Sequence, residues 1–154
     1  MAHAQAAVNV YRSAQEVFDF LADGTNNPKW HPGILNVQKV TDGDVGVGTR
    51  FAQTIQGKGR FSRPVRADYE ITVFEPGQIL GFKLTAGPLR AEGRYMIGSD
   101  EGTTTVQFDL QLPPITLFQK FKDKSMQKAL EQDVLSIRNL PQLLGGTPPE
   151  EDGQ

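Results

Sequence analysis

Apolar and polar residues alternate through most of the middle of the chain, a pattern that predicts β-strands with one buried face. The alternation is clearest from 65 to 73, where Val65, Ala67, Tyr69, Ile71 and Val73 share one side. Similar runs occur at 4–10, 35–40, 49–56, 79–85, 89–97 and 105–112. Turn residues rich in glycine and proline separate most of these runs, which favours antiparallel pairing. The pattern therefore predicts an antiparallel sheet of about seven strands.

Helical spacing replaces the alternation at three places. Ser13 and Glu16 form a capping-box sequence that predicts a helix start, and Asn27-Pro28 predicts a second, shorter helix that carries Trp30. From 117 to 144, apolar residues recur every three or four positions and predict a long C-terminal helix. Pro141 should kink this helix or end it early, because proline has no backbone N–H to donate.

A sheet with one apolar face must cover that face, and only the C-terminal helix is long enough to do so. The sequence thus predicts an α+β fold in which a curved sheet wraps around this helix, with two short helices after the first strand. Space should remain between sheet and helix unless large side chains fill it.

Composition narrows the possible functions. The 154 residues favour one domain, and 16 basic against 18 acidic residues argue against a general nucleic-acid binder. With no cysteine and only two distant histidines, disulfides, thiolate nucleophiles and metal sites are not expected. No stretch is apolar enough for a membrane span, which favours a cytoplasmic protein. Residues 145–154 lack apolar anchors and are expected to form a disordered acidic tail after a single domain at 1–144.

Three polar side chains fall in phase with the buried strand faces. Tyr69 and Tyr95 should point inward with hydroxyls that need partners, which either a ligand or core backbone groups could supply. Gln53 is more unusual, because a carboxamide facing a dry interior needs a partner such as a ligand or a bound water.

Trp30 and His31 each allow two interpretations. Trp30 could stack on an aromatic ligand or pin the short helix to the sheet. His31 could act as a general acid or base at a cavity mouth, or lie exposed beside the Pro32-Gly33 turn. The exposed position is the favoured interpretation, because a lone histidine is weak support for catalysis.

Several segments also resemble a known family. They are Ser13 to Asp23, Asn27-Pro28-Lys29-Trp30-His31-Pro32, Gly46 to Phe51, Val73-Phe74-Glu75-Pro76 and Gly102 to Val106. In order and spacing the chain resembles the START-like, or SRPBCC, superfamily with the helix-grip fold, and in particular its polyketide cyclase/dehydrase-like branch. The resemblance implies a ligand cavity between the sheet and the C-terminal helix, without a cofactor.

Three functions remain open at this point. The first is binding of a small hydrophobic or aromatic molecule by a monomer or homodimer. Its predicted contacts are Trp30, Phe51, Gln53, Tyr69, Ile71, Phe82, Leu84, Tyr95, Phe108, Met126 and Leu130. The second is a cyclase or dehydrase, with Tyr69, Tyr95 and His31 as candidate catalytic residues. The third is an interaction or chaperone-adaptor module, which ranks last because the outward strand positions are polar except for Phe74.

Overall fold

The computed structural model describes residues 3–57, 63–87, 90–112 and 118–145, and for 118–126 it describes the backbone only. The strands are β1 (His3–Val10), β2 (Ile34–Lys39), β3 (Arg50–Ile55), β4 (Val65–Arg66), β5 (Tyr69–Glu75), β6 (Ile79–Leu84), β7 (Glu92–Asp100) and β8 (Thr103–Gln111). The helices are α1 (Ala14–Ala22), α2 (Asn27–Trp30), α3 (Phe118–Leu135) and α4 (Leu140–Leu144), with single 3-10 segments at Gly24–Asn26 and Ser136–Asn139. The predicted tail from 146 onward lies outside the described residues.

The strands form one sheet in which every pairing is antiparallel. Its order is β1-β8-β7-β6-β5-β3-β2, with the two-residue β4 pairing β3 off this path. Seven strands in series, two short helices after the first strand and a long C-terminal helix confirm the predicted α+β helix-grip fold. The curled sheet forms a half-barrel, and α3 contacts β1 and β8.

Helix α1 begins as the sequence predicts. The Ser13 hydroxyl accepts from the Glu16 backbone N–H at 3.1 Å, and the Glu16 carboxylate accepts from the Ser13 N–H at 3.1 Å. These two bonds satisfy backbone donors that a helix start otherwise leaves unpaired. The helix then buries Val17, Phe18 and Leu21 and contacts β6 and β7. The segment that follows α1 carries α2, which contacts β2.

The C-terminal helix is interrupted, as the proline predicts. Continuous α-helix ends at Leu135, a 3-10 segment follows, and α4 begins with Pro141 in its first turn. In that position the missing N–H of proline breaks no helical hydrogen bond. Within the described side chains, Leu130, Val134 and Ile137 form the stripe that faces the core.

Strand β5 differs from the predicted alternation at its end. A register irregularity lies between Ile71 and Val73, so one extra residue enters this strand opposite β6. Beyond it the two faces are exchanged, and Phe74 pairs with the buried Leu80 instead of pointing outward. The Phe74 ring packs edge-on against Phe18 at a centroid distance of 5.1 Å. The prediction of an outward Phe74 is therefore wrong, and the bulge is the reason.

Candidate functional site

A pocket of about 580 Å³ lies between the concave face of the sheet and α3. Its walls come from strands β2 to β8, together with α1, α2 and α3. Eight of the predicted contact residues line it. They are Gln53, Tyr69, Ile71, Phe82, Leu84, Tyr95, Phe108 and Leu130. Most of the remaining wall is aliphatic, so an apolar surface surrounds a few polar groups.

Two predicted contacts lie behind the wall instead of lining it. Phe51 is 1% exposed and stacks on the Tyr69 ring at 5.1 Å. Trp30 is 2% exposed and packs edge-on against Tyr95 and Phe108 at 6.2 and 6.0 Å. Of the two interpretations of Trp30, the structure therefore supports the one in which it pins α2 to the sheet. The side chain of the third predicted contact, Met126, lies outside the described residues.

Three buried polar residues meet at one wall of the pocket. The Asn27 amide nitrogen donates to the Tyr69 hydroxyl at 3.1 Å and to Gln53 Oε1 at 3.4 Å. Gln53 Nε2 in turn donates to the carbonyl of Ala67 at 3.1 Å. The Asn27 oxygen Oδ1 is buried and has no hydrogen-bond partner among the described residues. Buried amide oxygens are normally paired, so this oxygen is a free acceptor next to the pocket.

The Tyr69 hydroxyl in this cluster stays protonated. Burial is the main cause and raises the pKa of Tyr69 well above its ordinary value, although the hydrogen bond from Asn27 acts in the opposite direction. Because the Tyr69 oxygen accepts from Asn27, its own proton remains available for donation. The cluster therefore combines a neutral O–H donor with a free amide acceptor.

Tyr95 presents a second hydroxyl, further along the sheet. Its ring stacks on Phe108 at a centroid distance of 4.6 Å. No hydrogen bond joins this hydroxyl to any residue that the structure describes. Burial raises the pKa of Tyr95 well above its ordinary value, and Tyr69 and Asp133 nearby raise it further. The group is a neutral phenol with capacity to donate and accept.

His31 lies inside the molecule, where it bridges α2 and α3. The residue is 9% exposed and lines the pocket, so the favoured interpretation of an exposed histidine is wrong. Nε2 contacts Asp133 Oδ1 at 2.7 Å, and Nδ1 accepts from the Gly33 backbone N–H at 3.2 Å. Accepting at Nδ1 assigns the proton to Nε2, which donates to the carboxylate. Both ring nitrogens are occupied, so in this arrangement the imidazole has no free base nitrogen.

Asn27 and Asp133 are site residues that the sequence reasoning missed. Asn27 precedes Pro28 and indicates only a helix start, because nothing local shows that Tyr69 and Gln53 approach it. Asp133 gives a clearer signal, since it follows Ala129 and Leu130 by one helical turn and so interrupts the apolar stripe with a charge.

Metal-binding clusters and membrane-spanning helices are absent from the described part of the chain. Within it, no three histidine, cysteine or acidic residues cluster closely enough to hold a metal ion. No described helix is long and apolar enough to cross a membrane.

Comparison with known proteins places the chain in a family. Residues 1–139 match the family described as "Polyketide cyclase / dehydrase and lipid transport". The chain belongs to this family. No curated protein sequence matches the chain.

Solved structures share its fold at low sequence identity. A Thermus thermophilus protein superposes with a TM-score of 0.74 at 19% identity, over 91% of this chain and 94% of that one. A START superfamily protein from Mycobacterium smegmatis gives 0.69 at 16% identity, over 94% and 100%. The Zhui aromatase/cyclase from Streptomyces sp. R1128 gives 0.66 at 12% identity, over 94% and 98%. These likenesses establish the START-like helix-grip fold.

Proposed function

We propose that this protein binds a small, largely apolar molecule in the pocket between the sheet and α3. The observation that carries the proposal is the pocket itself, about 580 Å³ with mainly apolar walls. That volume falls within the range of roughly 300–1,000 Å³ typical of small-molecule sites, which also combine apolar walls with a few polar groups. Membership of a family described by both cyclisation and lipid transport agrees with this interpretation.

Apolar contact would supply most of the affinity. Burial of apolar surface contributes roughly 25 cal/mol per Å². The ring centroids of Phe82, Tyr95 and Phe108 lie within 6.4 Å of one another, so these rings form a broad aromatic wall. An aromatic or polycyclic molecule would suit this wall through stacked or edge-on contacts.

Polar groups would orient the ligand. Asn27 Oδ1 has no partner among the described residues, and a ligand hydroxyl could donate to it after a small rearrangement of the amide. The Tyr95 hydroxyl could donate a hydrogen bond to a ligand carbonyl or accept one from a ligand phenol. Each such bond would contribute only about 0.5–1.5 kcal/mol, but a misplaced polar group would cost more because the site is buried.

Native mass spectrometry of the protein purified from its own host is the first test. Extra mass that is lost on denaturation would establish a bound molecule and identify its class.

Binding should also depend on the pocket volume. Ala129→Phe places a ring in the pocket from α3 and should abolish binding, whereas Ala52→Phe on the opposite face of β3 should retain it. Equal binding by both variants would contradict the proposed location.

A second candidate function is catalysis in the same pocket. It is favoured by one observation, the presence of Tyr69, Tyr95 and the His31–Asp133 pair in a single cavity. Neutral phenols can polarise carbonyl groups, as cyclisation or dehydration of a polyketone requires. If this function is correct, the double variant Tyr69→Phe, Tyr95→Phe should lose turnover of a polyketone substrate while still binding it. Unchanged turnover would remove both tyrosines from the mechanism.

A further inference from the structure

The described part of the pocket wall is poor in charged side chains. Among the described residues that line it, His31 and Asp133 are the only ones with a histidine, acidic or basic side chain, and no lysine or arginine is present. A ligand carboxylate would therefore lose its hydration without gaining a cationic partner from this wall. It would also face the carboxylate of Asp133, and like charges brought together at a binding site are costly.

The Asp133 carboxylate has no lysine or arginine partner among the described residues. Because His31 Nδ1 accepts the Gly33 N–H, the ring proton in this arrangement lies on Nε2, which donates to Asp133 Oδ1. The second carboxylate oxygen, Oδ2, has no partner among the described residues and remains free to accept. The Asp133 side chain is 47% exposed, so its charge is only partly screened by water.

Aromatic rings line the same pocket as this carboxylate. Tyr69 and Phe82 lie 5.4 Å apart, Phe82 and Tyr95 5.8 Å, and Tyr95 and Phe108 4.6 Å between centroids. Ring faces attract cations within about 6 Å of their centroids. The field of Asp133 reaches these rings, since it contributes to the raised pKa of Tyr95. A carboxylate beside a set of aromatic faces is an arrangement suited to an organic ammonium group.

We infer that Asp133 determines ligand specificity, so that the pocket prefers molecules whose polar end is a protonated amine and rejects those that end in a carboxylate. This inference rests on the proposed binding function and narrows its ligand class. It assigns the apolar part of the ligand to the aromatic wall and its ammonium group to Asp133 Oδ2.

The test uses three probes that differ only in the polar group on the naphthylmethyl carbon: naphthylmethylamine, naphthylmethanol and naphthylacetic acid. Isothermal titration calorimetry of the full chain should show the amine binding at least about tenfold more tightly than the acid, with the alcohol between them. Asp133→Asn keeps an oxygen for His31 but removes the charge, and should bring the ratio of the two affinities close to one. Glu131→Gln is the matched control, because it removes an equal charge from the same helix outside the pocket wall. It should leave the ratio unchanged.

The possible outcomes distinguish a failure of this inference from a failure of the proposed binding function. If all three probes bind with equal affinity, or Asp133→Asn leaves the ratio as it was, the pocket binds small molecules and the inference is wrong. If the acid binds most tightly, the inference is likewise overturned. If none of the probes binds, the proposed binding function fails for aromatic ligands, and the inference fails with it. Circular dichroism of each variant would establish that the fold is retained.

Discussion

The Tyr69 hydroxyl occupies the space that a side chain on Gly24 would need. A Cβ atom on Gly24 would lie 2.0 Å from that oxygen and 2.9 Å from Cδ1 of Phe51. Gly24 thus allows the turn between α1 and α2 to pass directly beside the Tyr69 hydroxyl. The close approach brings Asn27 within hydrogen-bond distance of the hydroxyl and so assembles the polar cluster.

Gly24→Ala should therefore destabilise the protein by about 1–3 kcal/mol, the usual cost of overpacking a buried site. Backbone entropy alone would predict the opposite sign, a gain of roughly 0.4–1 kcal/mol for glycine to alanine. Gly98→Ala is the control, because a Cβ there meets no atom within 4 Å. Denaturant unfolding of both variants distinguishes the two effects. If Gly24→Ala is as stable as Gly98→Ala, the added Cβ does not clash with the Tyr69 hydroxyl strongly enough to affect stability.

The bond between His31 and Asp133 should couple α2 to α3 energetically. We expect His31→Ala and Asp133→Ala each to lower the free energy of unfolding, and the double variant to lose less than their sum. The coupling should be about 0.5–1 kcal/mol, because the half-exposed carboxylate is partly screened by solvent. His31→Gln retains a side-chain donor and should cost less than His31→Ala. Additive losses in the double-mutant cycle would mean that the contact contributes nothing to stability.

The sequence predicted the fold in more detail than the site. Alternation and capping are local signals, and they were sufficient for the strands, for α1 and for the interruption near Pro141. Inward positions such as Tyr95 and Phe108 followed from the same alternation. The site depends on contacts between distant segments, such as Asn27 with Tyr69 and His31 with Asp133. No periodicity encodes such a pairing, so the local pattern favours an exposed His31 although the residue lies in the pocket wall.

Tyr69 and Tyr95 should make the protein sensitive to alkali. Burial raises the pKa of both phenols, whereas the same side chains in the unfolded chain ionise near pH 10. Below about pH 10 both states keep these protons, so the contribution to stability is fully present. Above it the unfolded chain loses protons that the folded chain retains, and stability falls as the pH rises.

Phenolate absorbance and circular dichroism recorded during one alkaline titration would test this. The absorbance of two of the three tyrosines should rise in the same cooperative step in which the circular dichroism of the sheet is lost. The double variant Tyr69→Phe, Tyr95→Phe should show a smaller loss of stability over the same pH interval. Full ionisation of all three tyrosines while the sheet remains folded would contradict the burial of these hydroxyls.

Trp30 should report directly on the pocket. It is the single tryptophan of the chain, and its indole N–H is buried without a partner among the described residues. The folded protein should therefore emit at shorter wavelength than the unfolded chain, and iodide should quench it weakly. Because Trp30 contacts Tyr95 and Phe108 from behind, a molecule entering the pocket should change its emission without touching it. Titration with naphthylmethanol would measure this change, and Ala129→Phe should suppress it. Emission as accessible to iodide as that of the unfolded chain would place Trp30 at the surface and contradict its role in supporting the pocket wall.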